Sequence, residues 1–315
     1  MARFLTTNTF KGELSPCLET TMKPYLSGIT FIKNGLKLGY PIKESIKSIE
    51  PLCDEIIINV GYDNPNLTQD DGTYEYLRDH FPEKKFVFLK SWWDPELTSK
   101  GLILSQQTNI ALEAAKGKYC QYIQGDEAIH ESDLKTIEDD LKKLENHPSA
   151  KGLVYQYLHF YGNVNIIKQT RNCYRREIRL FKNENVKSWL DAQGFRFQDD
   201  TKIPCLLTPA RIFHYGWARK EQIMATKVKA IDKLYHGQEF EKPQFQYKGE
   251  WGLKAFEGGH PAIMDEWIET HQNNIDLNSL TKPSPLKHMK EFLSDCFENL
   301  TGYRLGEYKN YLLVN

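Results

Sequence analysis

The chain has no run of about 18 apolar residues, the length a membrane-spanning helix needs, so none is expected. It has no CxxC pair either. Its six cysteines, Cys17, Cys53, Cys120, Cys173, Cys205 and Cys296, stand singly, which argues against a structural zinc site. The opening stretch, "MARFLTTNTFKGELSPCLETTMKPYLSG", lacks the apolar core of a secretory leader, so free thiols in a reducing, cytoplasmic setting are expected. Charge of one sign is missing as well. The chain has 41 Lys and Arg against 42 Asp and Glu, a net charge of −1, and neither a nucleic acid nor an anionic membrane is favoured as an obligate partner. No GxGxxG, Walker A, HExxH or GxSxG sequence occurs, which weakens dinucleotide, P-loop, zincin and hydrolase readings. What the chain does have is material for a core. Of its 315 residues, 40% are hydrophobic and 12% aromatic, enough for one large domain or a domain with an appendage.

The first half alternates strand and helix. "SGITFIKN" (27–34) reads as a strand. "YPIKESIKSIEPL" follows as a helix, with Ile42, Ile46 and Ile49 on one face. "DEIIINVG" (54–61) is a continuous apolar run, as in a strand buried on both faces. A short helix near 74–80, a strand at 85–91, a helix at 102–116 stopped by Gly117, and a strand at 119–124 come next. "SDLKTIEDDLKKLENH" is a helix capped by Ser132, with Leu134, Ile137, Leu141 and Leu144 along one side. This alternation implies a doubly wound α/β sheet, mostly parallel, which binds ligands at the carboxyl ends of its strands. Lys33 and Asn34, then Gly61 to Asp63, then Gln124 to Glu127 all fall at such ends. After residue 150 the pattern becomes α+β, with strands at 151–162, 174–183 and 209–216, a basic helix, and a tail (283–315) of peripheral helix and extension.

The densest chemistry lies in "YIQGDEAIHE". Asp126 and Glu127 read equally well as a solvated turn before a helix and as hard oxygen ligands for Mg²⁺ or Mn²⁺ bridging nucleotide phosphates. His214, in "HYGWARK", reads alone as a buried histidine among aromatics. Arg219 and Lys227 follow it and suit the charge of a leaving diphosphate, whereas Lys220 fits a solvated helix face better. An acceptor hydroxyl needs a general base. Glu177, between Arg176 and Arg179, is expected to have a depressed pKa and to serve as an ion-pair partner. Trp93, just past the third strand, suits stacking on a ring.

Taken in order, "SGITFIKNGLKLGYPIKESIKSIEPLCDEIIINVG", "QTNIALEAAKGKY", "YIQGDEAIHESDL", "YRREIRLF", "WLDAQGF" and "HYGW" resemble a family 2-type glycosyltransferase with a GT-A (nucleotide-diphospho-sugar transferase) fold. They are most similar to a bacterial glycosyltransferase-like branch carrying DE-x-x-H and HYGW motifs, over residues 27–235. The resemblance implies a metal-dependent inverting transfer of a sugar from a nucleotide diphosphate-sugar to an acceptor hydroxyl. It implies Mn²⁺ or Mg²⁺ on Asp126 and His214, and a donor site of Lys33, Asn34, Asn59, Asp63, Gln107, Gln124, Glu127, His130 and Arg219. Asp191 aligns best as the base, with Glu177 as the alternative. The chain departs from the family pattern at Gln124, where the first Asp of a DxD motif stands, and at Asn59-Val60, where an acidic turn stands. Asp63, or Asp71 in "DDGT", supplies the missing carboxylate. The partners implied are the donor and a glycan, lipid-linked or small-molecule acceptor, with no nucleic acid. A nucleotide-binding GT-A domain without catalysis and a sugar nucleotidyltransferase are the alternatives. The organisation expected is an N-terminal extension (1–26), a nucleotide-binding half (27–150), an acceptor-side and metal-completing half (151–240) and a partly helical C-terminal extension (241–315).

Overall fold

The computed structural model describes residues 23–97, 100–236, 245–271, 273–281, 283–284, 286–304 and 306–314. Cys17 and most of the expected N-terminal extension lie outside them. The first parallel unit holds β1 (Leu26–Ile32), α1 (Ile42–Ile49), β2 (Glu55–Tyr62), α2 (Thr73–His80), β3 (Phe86–Trp92), α3 (Leu102–Ala114) and β4 (Tyr119–Tyr122). β5 (Glu127–Ile129), α4 (Leu134–Asn146), β6 (Gly152–Tyr161), β7 (Asn163–Lys168) and β8 (Arg176–Lys182) follow. A hairpin, β9 (Val186–Trp189) and β10 (Gly194–Phe197), precedes the long β11 (Ile203–Trp217) and α5 (Glu221–His236). The chain closes with β12 (Leu253–Ala255), α6 (Asp265–His271), α7 (Met289–Thr301) and β13 (Tyr311–Leu313).

The sheet runs β12-β7-β6-β8-β4-β1-β2-β3, and β11 joins β6, β5 and β13. β3, β2, β1 and β4 are mutually parallel, as the strand–helix alternation implies. β4–β8, β6–β8 and β6–β7 are antiparallel, giving the α+β character of the second half. Every residue of β2 is buried. That is what a central strand covered on both faces requires. One face is covered by Ile42, Ile46 and Ile49 of α1, Leu77 of α2, and Ile137, Leu141 and Leu144 of α4. The other carries Ala111 and Leu112 of α3 with Phe195 of the hairpin.

Two expectations are corrected. Ser132 does not cap α4 with its side chain. That helix starts after Asp133, whose carboxylate is taken by Arg211, while the Ser132 hydroxyl meets His130 Nδ1 at 2.8 Å. The tail is more than a peripheral helix, because β13 adds to the sheet parallel to the start of β11, with Tyr311 opposite Ile203.

Candidate active site

Asp126 and His214 meet because β5 pairs antiparallel with β11. Glu127 stands opposite His214, and the Tyr215 amide donates to the Asp126 carbonyl at 2.8 Å. β11 runs parallel to β6 with His214 opposite His159, and its register then shifts before Trp217. Such a bulge re-aims side chains at a strand end, and here it falls on Tyr215-Gly216. A Cβ on Gly216 would lie 2.4 Å from His214 Nε2 and 3.1 Å from Asp126 Oδ2. The glycine therefore keeps open the space that these two groups face.

Three polar groups converge on Asp126, which is itself buried. Oδ2 accepts from Lys227 Nζ at 2.8 Å and lies 3.5 Å from Arg219 Nη2, and Oδ1 lies 3.8 Å from His214 Nε2. Burial opposes ionisation of this carboxyl. Lys227, His214 and Arg219 together outweigh burial and hold it well below the usual carboxylate range. Burial also draws the Lys227 ammonium down to about 8, against the pull of Asp126. Arg219, fully buried, lies over the Tyr40 ring with its guanidinium 4.1 Å from the centroid and donates to the Leu38 carbonyl.

The tautomer of His214 follows from its neighbours. His159 Nε2 lies 2.6 Å from the Tyr174 carbonyl, an acceptor only, so that nitrogen carries the proton. Burial pushes the pKa of His159 down to about 3 and that of His214 down to about 4, so both rings are neutral near pH 7. His159 Nδ1 is then an acceptor, and His214 Nδ1 donates to it at 2.9 Å. His214 Nε2 is left with a lone pair facing Asp126 Oδ1. Two acceptors this close call for a donor or a cation between them.

A divalent cation fits that pair. Mg²⁺-type sites take one or two protein ligands and complete their shell with phosphate oxygens and water. An octahedral ion with ligand bonds of about 2.1 Å holds neighbouring ligands about 3.0 Å apart, so the pair, at 3.8 Å, would have to draw closer to share one ion. Among the described residues no group of three or more His, Cys, Asp and Glu side chains gathers as a metal cage. The remaining ligands would have to come from a bound phosphate.

The other edge residues divide into two sets. Lys33 and Asp63, at the ends of β1 and β2, form an ion pair at 2.7 Å, with Lys33 Nζ 5.4 Å from the Trp93 ring centroid. Trp93 Nε1 is buried with no hydrogen-bond partner among the described residues, over a strand end kept clear by Gly61, where a Cβ would lie 2.1 Å from that nitrogen. Asn34 leaves β1 with a left-handed φ of 53°. Asp71 is consumed locally, accepting from the Lys37 amide and from Thr73, whereas Asp63 is exposed and meets only Lys33 among the ion pairs of the described residues. Asn59 and Gln107 are instead fully buried bolts between β2 and α3, with Asn59 Nδ2 donating to the Gln107 carbonyl at 2.9 Å. Their side-chain amides also bond each other, Asn59 Nδ2 donating to Gln107 Oε1 at 3.1 Å.

Glu127 and His130 likewise have partners within the chain. Glu127 is not in a loop but in β5, fully buried, bound through both oxygens to the fully buried Arg179 (2.8 and 3.1 Å) and accepting from Tyr157 Oη at 2.7 Å. His130 lies at the far end of β5, where its Nδ1 accepts from the Ser132 amide at 3.1 Å. Sequence reading missed Arg179 and His159. The signal for His159 was its shared strand parity with Tyr157 and Tyr161 in "VYQYLHFYG". Arg179 had none, since its partner lies 52 residues away.

Asp191 sits in the β9–β10 turn between two residues of left-handed φ, Leu190 at 51° and Ala192 at 60°. Its Oδ2 accepts from Tyr235 Oη at 3.2 Å. Gln124 Nε2 donates to the Ala192 carbonyl at 3.2 Å, which brings this turn against the segment carrying Asp126. Glu177 lies beneath, with Oε1 accepting from Gln193 and Oε2 buried without a partner. Among the described residues it makes no ion pair. Burial raises its pKa to about 8 despite Arg179 nearby, the reverse of the depression expected from its arginine neighbours. Desolvation outweighs charge there because Arg179 spends its fork on Glu127. A cavity of about 960 Å³ opens beyond His159, between Tyr174, Arg176 and Trp251, and Asp126 does not line it.

No protein-family model matches the chain, and no curated protein matches it. Among solved structures it is similar to Staphylococcus aureus TarS residues 1–349 in complex with UDP, at 15% identity over 50% of this chain and 47% of that one, with a TM-score of 0.32. It is similar to S. aureus TarS at 14% identity over 66% of this chain and 39% of that one (TM-score 0.37). It is also similar to the mannosyltransferase PcManGT of Pyrobaculum calidifontis in complex with GDP-Man and Mn²⁺, at 19% identity over 42% and 35% (TM-score 0.29). The matches span at most about half the length of those chains, and at such TM-scores the functional reading rests on the geometry above.

Proposed function

We propose that the protein is a GT-A-type glycosyltransferase that moves a sugar from a nucleotide diphosphate-sugar to an acceptor hydroxyl with inversion. The observation that carries this reading is the neutral His214 lone pair set against the Asp126 carboxylate, with Lys227 and Arg219 behind it, at the ligand-binding edge of parallel strands β1, β2 and β4. Asp126 and His214 would hold Mn²⁺ or Mg²⁺, which when bound supplies positive charge to the departing diphosphate. Lys227 and Arg219 add fixed positive charge in a desolvated site, where it stabilises a leaving anion most effectively. Lys33, Asn34, Asp63 and Trp93 bound the nucleoside, with the unpartnered indole N–H as a donor to it. Asp191 takes the acceptor proton as the hydroxyl attacks the anomeric carbon. Glu177 is the weaker candidate for that step, because a carboxyl with a pKa of about 8 is mostly protonated at pH 7.

Melting curves with uridine and guanosine diphosphates, each with and without Mn²⁺, test the donor site, since a ligand of the native state raises apparent stability by mass action. The expected result is a stabilisation that needs both nucleotide and metal. Asp126→Asn removes it, and it also leaves Lys227 and Arg219 buried without a counter-charge, at a cost of about 3–5 kcal/mol. Equal stabilisation of wild type and Asp126→Asn would sink the assignment.

A further inference from the structure

α7 sits on the molecule inside out. A helix docked on a globular body normally turns its apolar stripe inward and its charges to water. Here the acids point inward. Glu298 binds Arg175 and Arg304, Asp295 accepts from Trp251 Nε1 at 2.7 Å, and Glu307, just beyond the helix, grips Arg175 through both oxygens. Ser294 is its only buried residue. The apolar side chains face out: Leu286, in the turn before the helix, is 80% exposed, Leu293 58% and Leu300 86%. Met289, Phe292, Phe297 and Tyr303 widen this into a band. Seven large apolar side chains together expose on the order of several hundred Å², at or above the largest patch most soluble monomers carry.

The charge at this face is of one sign. Lys287 and Lys290 are exposed and form no ion pair among the described residues, while Glu298 is spent on Arg175 and Arg304 and Glu291 lies 4.0 Å from His288. The whole-chain charge of −1 conceals this segregation. We propose that α7 and its leading turn dock on an anionic lipid bilayer, with the leucine stripe at the headgroup–acyl boundary and the two lysines at lipid phosphates. A second copy of the chain is the poorer occupant. A two-stranded helix pair needs a narrow seam flanked by opposite charges, whereas this band is broadened by Phe292 and Phe297 and a symmetric partner would bring lysines rather than acids. The inference stands whether or not the protein transfers a sugar.

The test is flotation of the full chain with vesicles of phosphatidylcholine alone and with one third phosphatidylglycerol, with light scattering to follow its oligomeric state. Binding to the anionic vesicles is expected. Leu293→Glu with Leu300→Glu should weaken it about a hundredfold, and Lys287→Gln with Lys290→Gln about tenfold or more. All four positions are exposed, so circular dichroism and melting should not change. Absence of vesicle binding by a monomer would overturn the proposal. Binding that ignores the leucine substitutions would overturn it too. So would a dimer that those substitutions split, which would make the face an interface between copies.

Discussion

Gly216 is the residue on which the space between Asp126 and His214 depends, since any side chain there would meet both groups. Gly216→Ala should abolish metal-linked nucleotide binding in calorimetry while costing about 1–3 kcal/mol of stability, the usual range for overpacking. Nucleotide binding unchanged in that variant would mean the space is not the ligand seat. Glu177 makes a separate prediction at this scale. Its folded pKa, about 8, lies above the ordinary glutamate value of 4.5, so between those values the native state holds a proton that the unfolded chain has released. Its contribution to stability is therefore present at low pH and declines as pH rises from about 4.5 to 8, each unit being worth at most about 1.4 kcal/mol. Glu177→Gln should flatten the fall in melting temperature across that window. A parallel pH profile in wild type and variant would show that Glu177 is ionised throughout. The residue scale is also where the sequence misled most. Asn59 and Glu127 are polar residues in strands β2 and β5, and Gln107 is one in α3. Whether a polar side chain faces a ligand or a buried partner is decided by what packs on it, and for Glu127 that partner is Arg179 in β8.

At the scale of elements, the turn carrying Asp191 is held from several sides. Arg179 donates to the Gln193 carbonyl at 2.9 Å, Gln124 donates to that of Ala192, and Tyr235 reaches the Asp191 carboxylate. Arg179 thus spans the distance from Glu127 in β5 to the strained turn, where two non-glycine residues sit at left-handed φ. Arg179→Met alone should cost about 3–5 kcal/mol by stranding a buried carboxylate. Adding Glu127→Gln should recover much of that stability but not turnover, with donor affinity unchanged and kcat reduced, because the turn has lost its anchor. Recovery of both would make the pair a purely structural ion pair. The elements themselves were legible where one periodicity runs long enough. β2 shows as an apolar run, α1 and α4 as stripes, and the β1–β4 unit as their alternation. β5 was not legible. It is three residues long, its acids read as a loop, and the strand that fixes it, β11, comes more than 70 residues later.

For the whole molecule, the sheet is finished by its last residues. β13 pairs with the start of β11, and Tyr311 is buried in the core on the α3 side. Asn310 packs against Gly194, where a Cβ would lie 2.9 Å from its own, at the foot of the hairpin that bears Asp191. The tail therefore supports the proposed acceptor side from beneath, an arrangement that local pattern could not reveal, because the pairing joins residues about 110 apart. Tyr311→Ala removes a buried ring and leaves a cavity, a change that typically costs about 3–5 kcal/mol. Urea unfolding should report that loss as a lower midpoint. The hairpin should loosen with it, so turnover should fall further than the nucleotide- and metal-linked stabilisation, which depends on the Asp126–His214 pair. If instead both fall in proportion to the folded fraction, the tail supports the fold as a whole and has no particular hold on the turn at Asp191.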